Sequence, residues 1–286
     1  MTTMRGDRMP SLARETARRG RAILKHLYRE IPFLRGSRKS KLIAAVRPYT
    51  VMSYAKLSAV YELTSHLEST QPEGAFVECG VLNGGCAGLI ASVARGNKAR
   101  QIWLFDSWEG LPEPTEFDVN ARGETPQKGE KRGSLDTVRW LLFSKLRLDE
   151  SKIHLVKGWF SESIPAMKHA MGPIAFLHLD CNFYESYGVC LEELYASVVP
   201  GGIVFIDDYG SYRGSRKATD EFIQRRQLKV QLERVWTRDR RGRHGYVAVY
   251  FRKGERRLDP PSRRSPHGGG RSSIPRSGTA RRRGRR

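Results

Sequence analysis

Five short apolar runs, at 75–78, 102–106, 153–156, 174–179 and 203–206, punctuate the middle of this chain. Each is rich in β-branched and aromatic residues and has the length of a strand buried on both faces. Between them the apolar residues change to helical spacing. Residues 86–95 carry Leu89, Ile90 and Val93 on one face. Residues 134–146 open on a Ser cap and continue with Leu135, Val138, Leu141 and Leu142. Residues 185–197 carry Val189, Leu191 and Leu194, and 216–226 follow the last run. Strands alternating with helices predict an α/β fold, a mostly parallel sheet with helices on both faces. Two further runs near 232–236 and 246–251 are joined by a short Gly-containing link. That link permits only a hairpin, so the last strand is expected to be antiparallel.

Charge divides the chain more sharply than any turn signal. The 286 residues carry a formal net charge of +21. Residues 1–47 hold 13 basic and 3 acidic residues, and 252–286 hold 13 and 2. The middle, 48–251, is neutral, with 25 of each sign. The boundaries follow: a basic N-terminal extension with an amphipathic helix at 1–47, a domain at 48–251, and an Arg-rich tail at 252–286 expected to be disordered. Apolar positions Ile23, Leu24, Leu27, Tyr28 and Ile31 give the extension its helical face. No apolar run reaches the roughly 18–20 residues that span a bilayer. The basic N-terminus lacks the apolar stretch of a secretory signal. Cys79, Cys86, Cys181 and Cys190 have no metal-like spacing. A reduced, cytoplasmic protein is expected, and membrane-spanning, collagenous and disulfide-scaffold classes are excluded.

In open α/β sheets, ligands bind beyond the carboxyl ends of the strands. The first strand runs into Glu78-Cys79-Gly80-Val81-Leu82-Asn83-Gly84-Gly85. Gly80, Gly84 and Gly85 allow a sharp turn and close approach to a ligand, while Glu78 supplies a carboxylate. The spacing is not the dinucleotide fingerprint, and a carboxylate suits a cationic ligand better than a pyrophosphate. The second strand ends at Asp106, where an acid accepts hydrogen bonds from ribose hydroxyls in nucleotide-binding sheets. The pair favours an adenosine-containing cation, which points to S-adenosylmethionine. The fourth strand ends at Asp180 and the fifth at Asp207-Asp208. Three carboxylates at adjacent strand ends repel one another unless a cation compensates. A hard divalent ion such as Mg²⁺ with oxygen ligands is the natural solution.

Several segments, taken in order, resemble the macrocin O-methyltransferase family. They are Tyr-Thr-Val-Met at 49–52, Phe-Val-Glu-Cys-Gly-Val-Leu-Asn-Gly-Gly at 76–85, and Phe-Asp-Ser-Trp-Glu-Gly-Leu-Pro at 105–112. Lys-Gly-Trp-Phe follows at 157–160, Leu-Asp-Cys-Asn-Phe-Tyr-Glu-Ser at 179–186, and Pro-Gly-Gly-Ile-Val-Phe-Ile-Asp-Asp-Tyr-Gly at 200–210. The resemblance implies a Rossmann-like class I methyltransferase sheet. It implies an enzyme that uses S-adenosylmethionine and Mg²⁺ to methylate a sugar hydroxyl on a natural product. Carried over by motif, Glu78, Gly80, Gly84, Asp106 and Ser107 hold the methyl donor, with Trp159 near its adenine. Asp180, Asp207 and Asp208 hold the metal, and 49–52 forms part of a lid. The expected partners are a small hydroxylated acceptor and a second copy of the chain.

One position departs from the family. Asn182 stands two residues after Asp180, where the family usually carries a second Asp as general base. An amide does not accept a proton at neutral pH. Asp180 and Asn182 are therefore the catalytic positions to examine, with His178 on the same strand face. Two other functions compete: a cofactor-binding paralogue impaired in catalysis, motivated by Asn182, and nucleic-acid binding through the Arg-rich ends. The neutral middle and the lack of aromatic interleaving in the tails weigh against the second.

Overall fold

The predicted strands all form. They are β1 (Ala75–Cys79), β2 (Ile102–Asp106), β3 (Ile153–Lys157), β4 (Ile174–Leu179) and β5 (Val198–Ile206), with β6 (Glu233–Arg238) and β7 (His244–Arg252) at the end. They make one seven-stranded sheet in the order β3-β2-β1-β4-β5-β7-β6. Pairing is parallel from β3 to β5, and β7 runs antiparallel to both β5 and β6. The strand order reverses between β1 and β4, which opens the crevice where such sheets bind ligands. This computed structural model describes residues 37–70, 72–238 and 244–254. The apolar positions of 23–31, the hairpin link at 239–243 and the tail beyond 254 lie outside the described residues.

Among the described residues seven helices cover the sheet: α1 (Arg38–Val46), α2 (Tyr54–Thr70), α3 (Gly85–Ala94), α4 (Leu135–Arg139), α5 (Phe160–Met171), α6 (Tyr184–Leu194) and α7 (Arg213–Arg225). Strand alternation sends Phe76, Leu104, Phe176 and Phe205 to one face, where α1–α3 meet them through Ile43, Val46, Leu57, Val60 and Leu89. Val77, Phe105, Leu177 and Val204 point the other way, against Ile164 of α5, Tyr187 and Leu191 of α6 and Phe222 of α7. α1 lies within the basic N-terminal segment, yet its Ile43 and Val46 are fully buried in the core. Ser134 caps α4 as expected, its hydroxyl accepting from Thr137 N, and Trp140–Lys145 continue as a π-type turn.

Sequence periodicity did not reveal α2 and α5. α2 has apolar or small residues around most of its circumference, so no single stripe stands out. α5 contains Pro165, a residue that normally ends a helix. Among the described residues no helix is long and apolar enough to cross a membrane.

Candidate active site

The carboxyl ends of β1, β2, β3 and β4 open onto one pocket. Gly80, Asp106, Ser107, Trp159, Asp180 and Asn182 all line it. Six positions spread over more than a hundred residues of sequence therefore converge as the motifs imply.

Gly80 forms the floor. Its φ is +97°, and a Cβ there would lie 2.0 Å from the Asp180 carbonyl oxygen. The first and fourth strand ends thus cross at a distance only glycine permits. Asp106 braces the turn that follows. Its Oδ2 accepts from Val81 N at 2.7 Å and Leu82 N at 2.9 Å, and its Oδ1 accepts from Trp108 N at 2.7 Å. Each carboxylate oxygen has about two acceptor sites. Oδ1 therefore keeps one for a ligand hydroxyl. The Trp108 indole locks the same turn from the other side by donating to Leu82 O at 3.0 Å.

Val51, 72% exposed, reaches the pocket from the 49–52 segment. That segment crosses α3 at Gly85, where a Cβ would strike Thr50. Leu111, Pro112 and Lys131 line the pocket from the loop between β2 and α4. Sequence reasoning missed what secures this loop. Asp118 is fully buried; its Oδ1 accepts from Tyr184 N at 2.7 Å, and its Oδ2 accepts from Thr115 N and Oγ1, both at 2.8 Å. It pins the loop to the start of α6, beside Asn182. The Thr115-Glu116-Phe117-Asp118 spacing was the available signal.

The three carboxylates converge differently. Asp180 is half-buried at the pocket wall, while Asp207 and Asp208 lie just behind it. One ligand atom each from His178, Asp180 and Asp207 lies within 4.8 Å of the others. Asp207 Oδ2 accepts from Lys56 Nζ of α2 at 2.5 Å. Its Oδ1 is buried without a hydrogen-bond partner. Asp208 Oδ2 accepts from Asn182 N at 3.0 Å, and Oδ1 accepts from Asn182 Nδ2 at 3.0 Å. The Tyr187 hydroxyl stands 3.1 Å from Oδ2. Asn182, at φ +59°, thus clamps Asp208 with its backbone and its side chain together.

The electrostatics follow from this crowding. Burial, then Asp207 and Asp208, push the Asp180 carboxyl well above the usual carboxylate range. Burial acts the same way on Asp207, but Lys56 and His178 outweigh it and hold its pKa down. Lys56 is disfavoured by burial yet held charged by Asp207, Asp208 and Asp180. No sequence pattern marked Lys56, a lone lysine in an apolar helix.

A divalent cation fits these donors. Asp207 Oδ1 is unpartnered, Asp208 Oδ1 has one acceptor site left, and Asp180 faces the pocket. The carboxylate donors are oxygens, as Mg²⁺ prefers, and the group whose atoms come within 4.8 Å joins Asp180 and Asp207 with a His178 nitrogen.

Two of the predicted donor residues do not reach the wall of the pocket. Gly84, at φ +85°, starts α3 and packs against Val138. Glu78 is 1% exposed, and its Oε1 sits 3.0 Å from His178 Nδ1. Strand register explains Glu78: it pairs with His178 and shares the face of Phe76, beneath α2 and α3.

Known proteins converge on the same reading. The family described as Macrocin-O-methyltransferase (TylF) matches residues 28–253. One relative, the 8-demethyl-8-(2,3-dimethoxy-alpha-L-rhamnosyl)-tetracenomycin-C 4'-O-methyltransferase of Streptomyces olivaceus, is 35% identical over 142 residues. That match covers 48% of this chain and 53% of the relative, so the chain spans about half that relative's length. The mycinamicin III 3''-O-methyltransferase of Micromonospora griseorubida is 25% identical over 79% of this chain and 87% of its own. Among solved structures, the O-methyltransferase NovP superposes with a TM-score of 0.62 at 25% identity, over 72% of this chain and 83% of that one. The sheet order, the pocket at its carboxyl edge and a family match over most of the chain agree: this chain belongs to the macrocin O-methyltransferase family.

Proposed function

We propose that this chain transfers the methyl group of S-adenosylmethionine to a hydroxyl of a sugar or sugar-bearing natural product, with Mg²⁺ bound at the strand-end carboxylates. The observation that carries this reading is the convergence of Gly80, Asp106, Ser107 and Trp159 with Asp180 on one pocket. A donor site and an acidic site share a wall there, as transfer between two bound molecules requires. The relatives' names supply the acceptor class, since two of them act on sugar positions of glycosylated compounds.

Gly80 lets the donor lie against the backbone, Asp106 Oδ1 offers its remaining acceptor site to a ribose hydroxyl, and Trp159 presents an aromatic face. Asp180, Asp207 and Asp208 would hold the metal. Mg²⁺ bound there supplies Lewis acidity to an acceptor oxygen. In the transfer the C–S bond of the donor breaks as the new C–O bond forms, and the hydroxyl proton leaves to solvent. Asn182 takes no proton and keeps Asp208 in place. The loop tied down by Asp118 walls the acceptor side, with Lys131 as the cation lining the pocket among the described residues.

Metal removal tests the reading. EDTA is expected to stop methyl transfer, and excess Mg²⁺ to restore it. Binding of S-adenosylhomocysteine, measured by calorimetry, should change by less than about threefold. Full activity in EDTA would overturn the metal assignment.

A further inference from the structure

Four polar side chains cross one face of the sheet inside an otherwise apolar layer. Glu78 on β1, His178 on β4, Asp207 after β5 and Lys56 on α2 follow one another in space. Glu78 Oε1 lies 3.0 Å from His178 Nδ1, and His178 Nε2 lies 3.8 Å from Asp207 Oδ1. Lys56 Nζ then holds Asp207 Oδ2 at 2.5 Å. The imidazole is fully buried, with the rings of Phe176 and Phe205 centred 6.3 and 5.3 Å away. Leucine or phenylalanine at 78 and 178 would pack such a layer without the cost of desolvating a carboxylate and an imidazole. The cost is incurred where the chain ends on a carboxylate of the metal site.

We infer that Glu78 and His178 are positioning residues for Asp207, and that Glu78 acts on the metal centre through His178 and makes no contact with the methyl donor. This rests on the proposed metal reading and reassigns one of the residues that the family motif places at the donor. Glu78 fixes the imidazole through Nδ1, and the ring then presents Nε2 to the Asp207 oxygen left free by Lys56. Lys56 holds one oxygen of that carboxylate, and the buried ring, 3.8 Å from the other without a hydrogen bond, limits how the carboxylate can turn. Partners of this kind, one step behind a metal ligand, typically change metal affinity by about 10–100-fold when altered.

The test uses the full chain, Mn²⁺ as a spin-resonance probe of the metal site and S-adenosylhomocysteine calorimetry for the donor site. Glu78→Gln preserves shape and removes the charge. His178→Asn keeps a donor toward Glu78 but does not reach Asp207, and it carries the test if the first variant fails to fold. Both are expected to lose about tenfold in Mn²⁺ affinity while S-adenosylhomocysteine affinity stays within about twofold. Tenfold weaker S-adenosylhomocysteine binding with Mn²⁺ binding unchanged would return Glu78 to the donor site and overturn the inference. So would two variants indistinguishable from wild type in both assays. Wild-type protein that binds no Mn²⁺ would remove the metal reading itself, and this inference with it; normal wild-type binding with unaffected variants removes the inference alone.

Discussion

Gly80→Ala is expected to abolish donor binding. The new Cβ would stand 2.0 Å from the Asp180 carbonyl oxygen and 2.7 Å from its carbon, both backbone atoms that no rotamer change can relieve. The φ of +97° adds conformational strain of about 1–3 kcal/mol for any residue with a side chain. Relief requires β1 and β4 to separate where they form the pocket floor. S-adenosylhomocysteine affinity should fall at least about a hundredfold, with a lowered Tm. Gly201→Ala is the control. It has a similar φ of +77° but nothing within 4 Å of its added Cβ, and it lies at the start of β5, far from the pocket. It should lose stability and keep donor affinity. Equal donor affinity in both variants would contradict the assignment of Gly80 to the floor.

Asp180→Ala is expected to lose about a thousandfold or more in kcat while folding at least as stably as the wild type. The activity loss follows from removing the carboxylate that faces the pocket and the proposed metal site, with ~1.4 kcal/mol for each factor of ten. The stability argument has the opposite sign. A carboxyl whose proton affinity is raised in the folded state opposes folding when it is ionised, and burial with Asp207 and Asp208 raises that of Asp180. Removing it relieves that repulsion. Thermal unfolding and single-turnover kinetics on the same preparation separate the two effects. A lowered Tm with proportionate loss of activity would mark Asp180 as structural.

Much of this architecture was written in local pattern. The five strand runs, the alternation with helices and the antiparallel hairpin follow from periodicity and link length, which are properties of neighbouring residues. α2 and α5 were hidden because one lacks an apolar stripe and the other carries Pro165. The site was legible where chemistry sits at strand ends: Gly80, Asp106, Ser107, Trp159, Asp180 and Asn182 share a pocket. It was not legible where function depends on facing. Glu78 is one residue from the turn, yet strand alternation rotates it under α2 and toward His178. Lys56 lies 151 residues from Asp207, and only the packing of α2 on the sheet brings them together. Asp118 is the same kind of case, a loop acid whose partner is the start of a distant helix.

Among the described residues, those that line this pocket come from the neutral middle of the chain. The pocket's charged lining residues are Lys131, Asp106 and Asp180.

The central claim is that a methyl group passes from S-adenosylmethionine to a sugar hydroxyl in this pocket. It is tested most directly with methyl-labelled donor, Mg²⁺ and a panel of glycosylated natural products and their aglycones, read by tandem mass spectrometry. The account predicts label on the sugar fragment of at least one glycoside, absent with Asp180→Ala and absent from the matching aglycone. Label on the aglycone, or transfer that persists in Asp180→Ala, would contradict it.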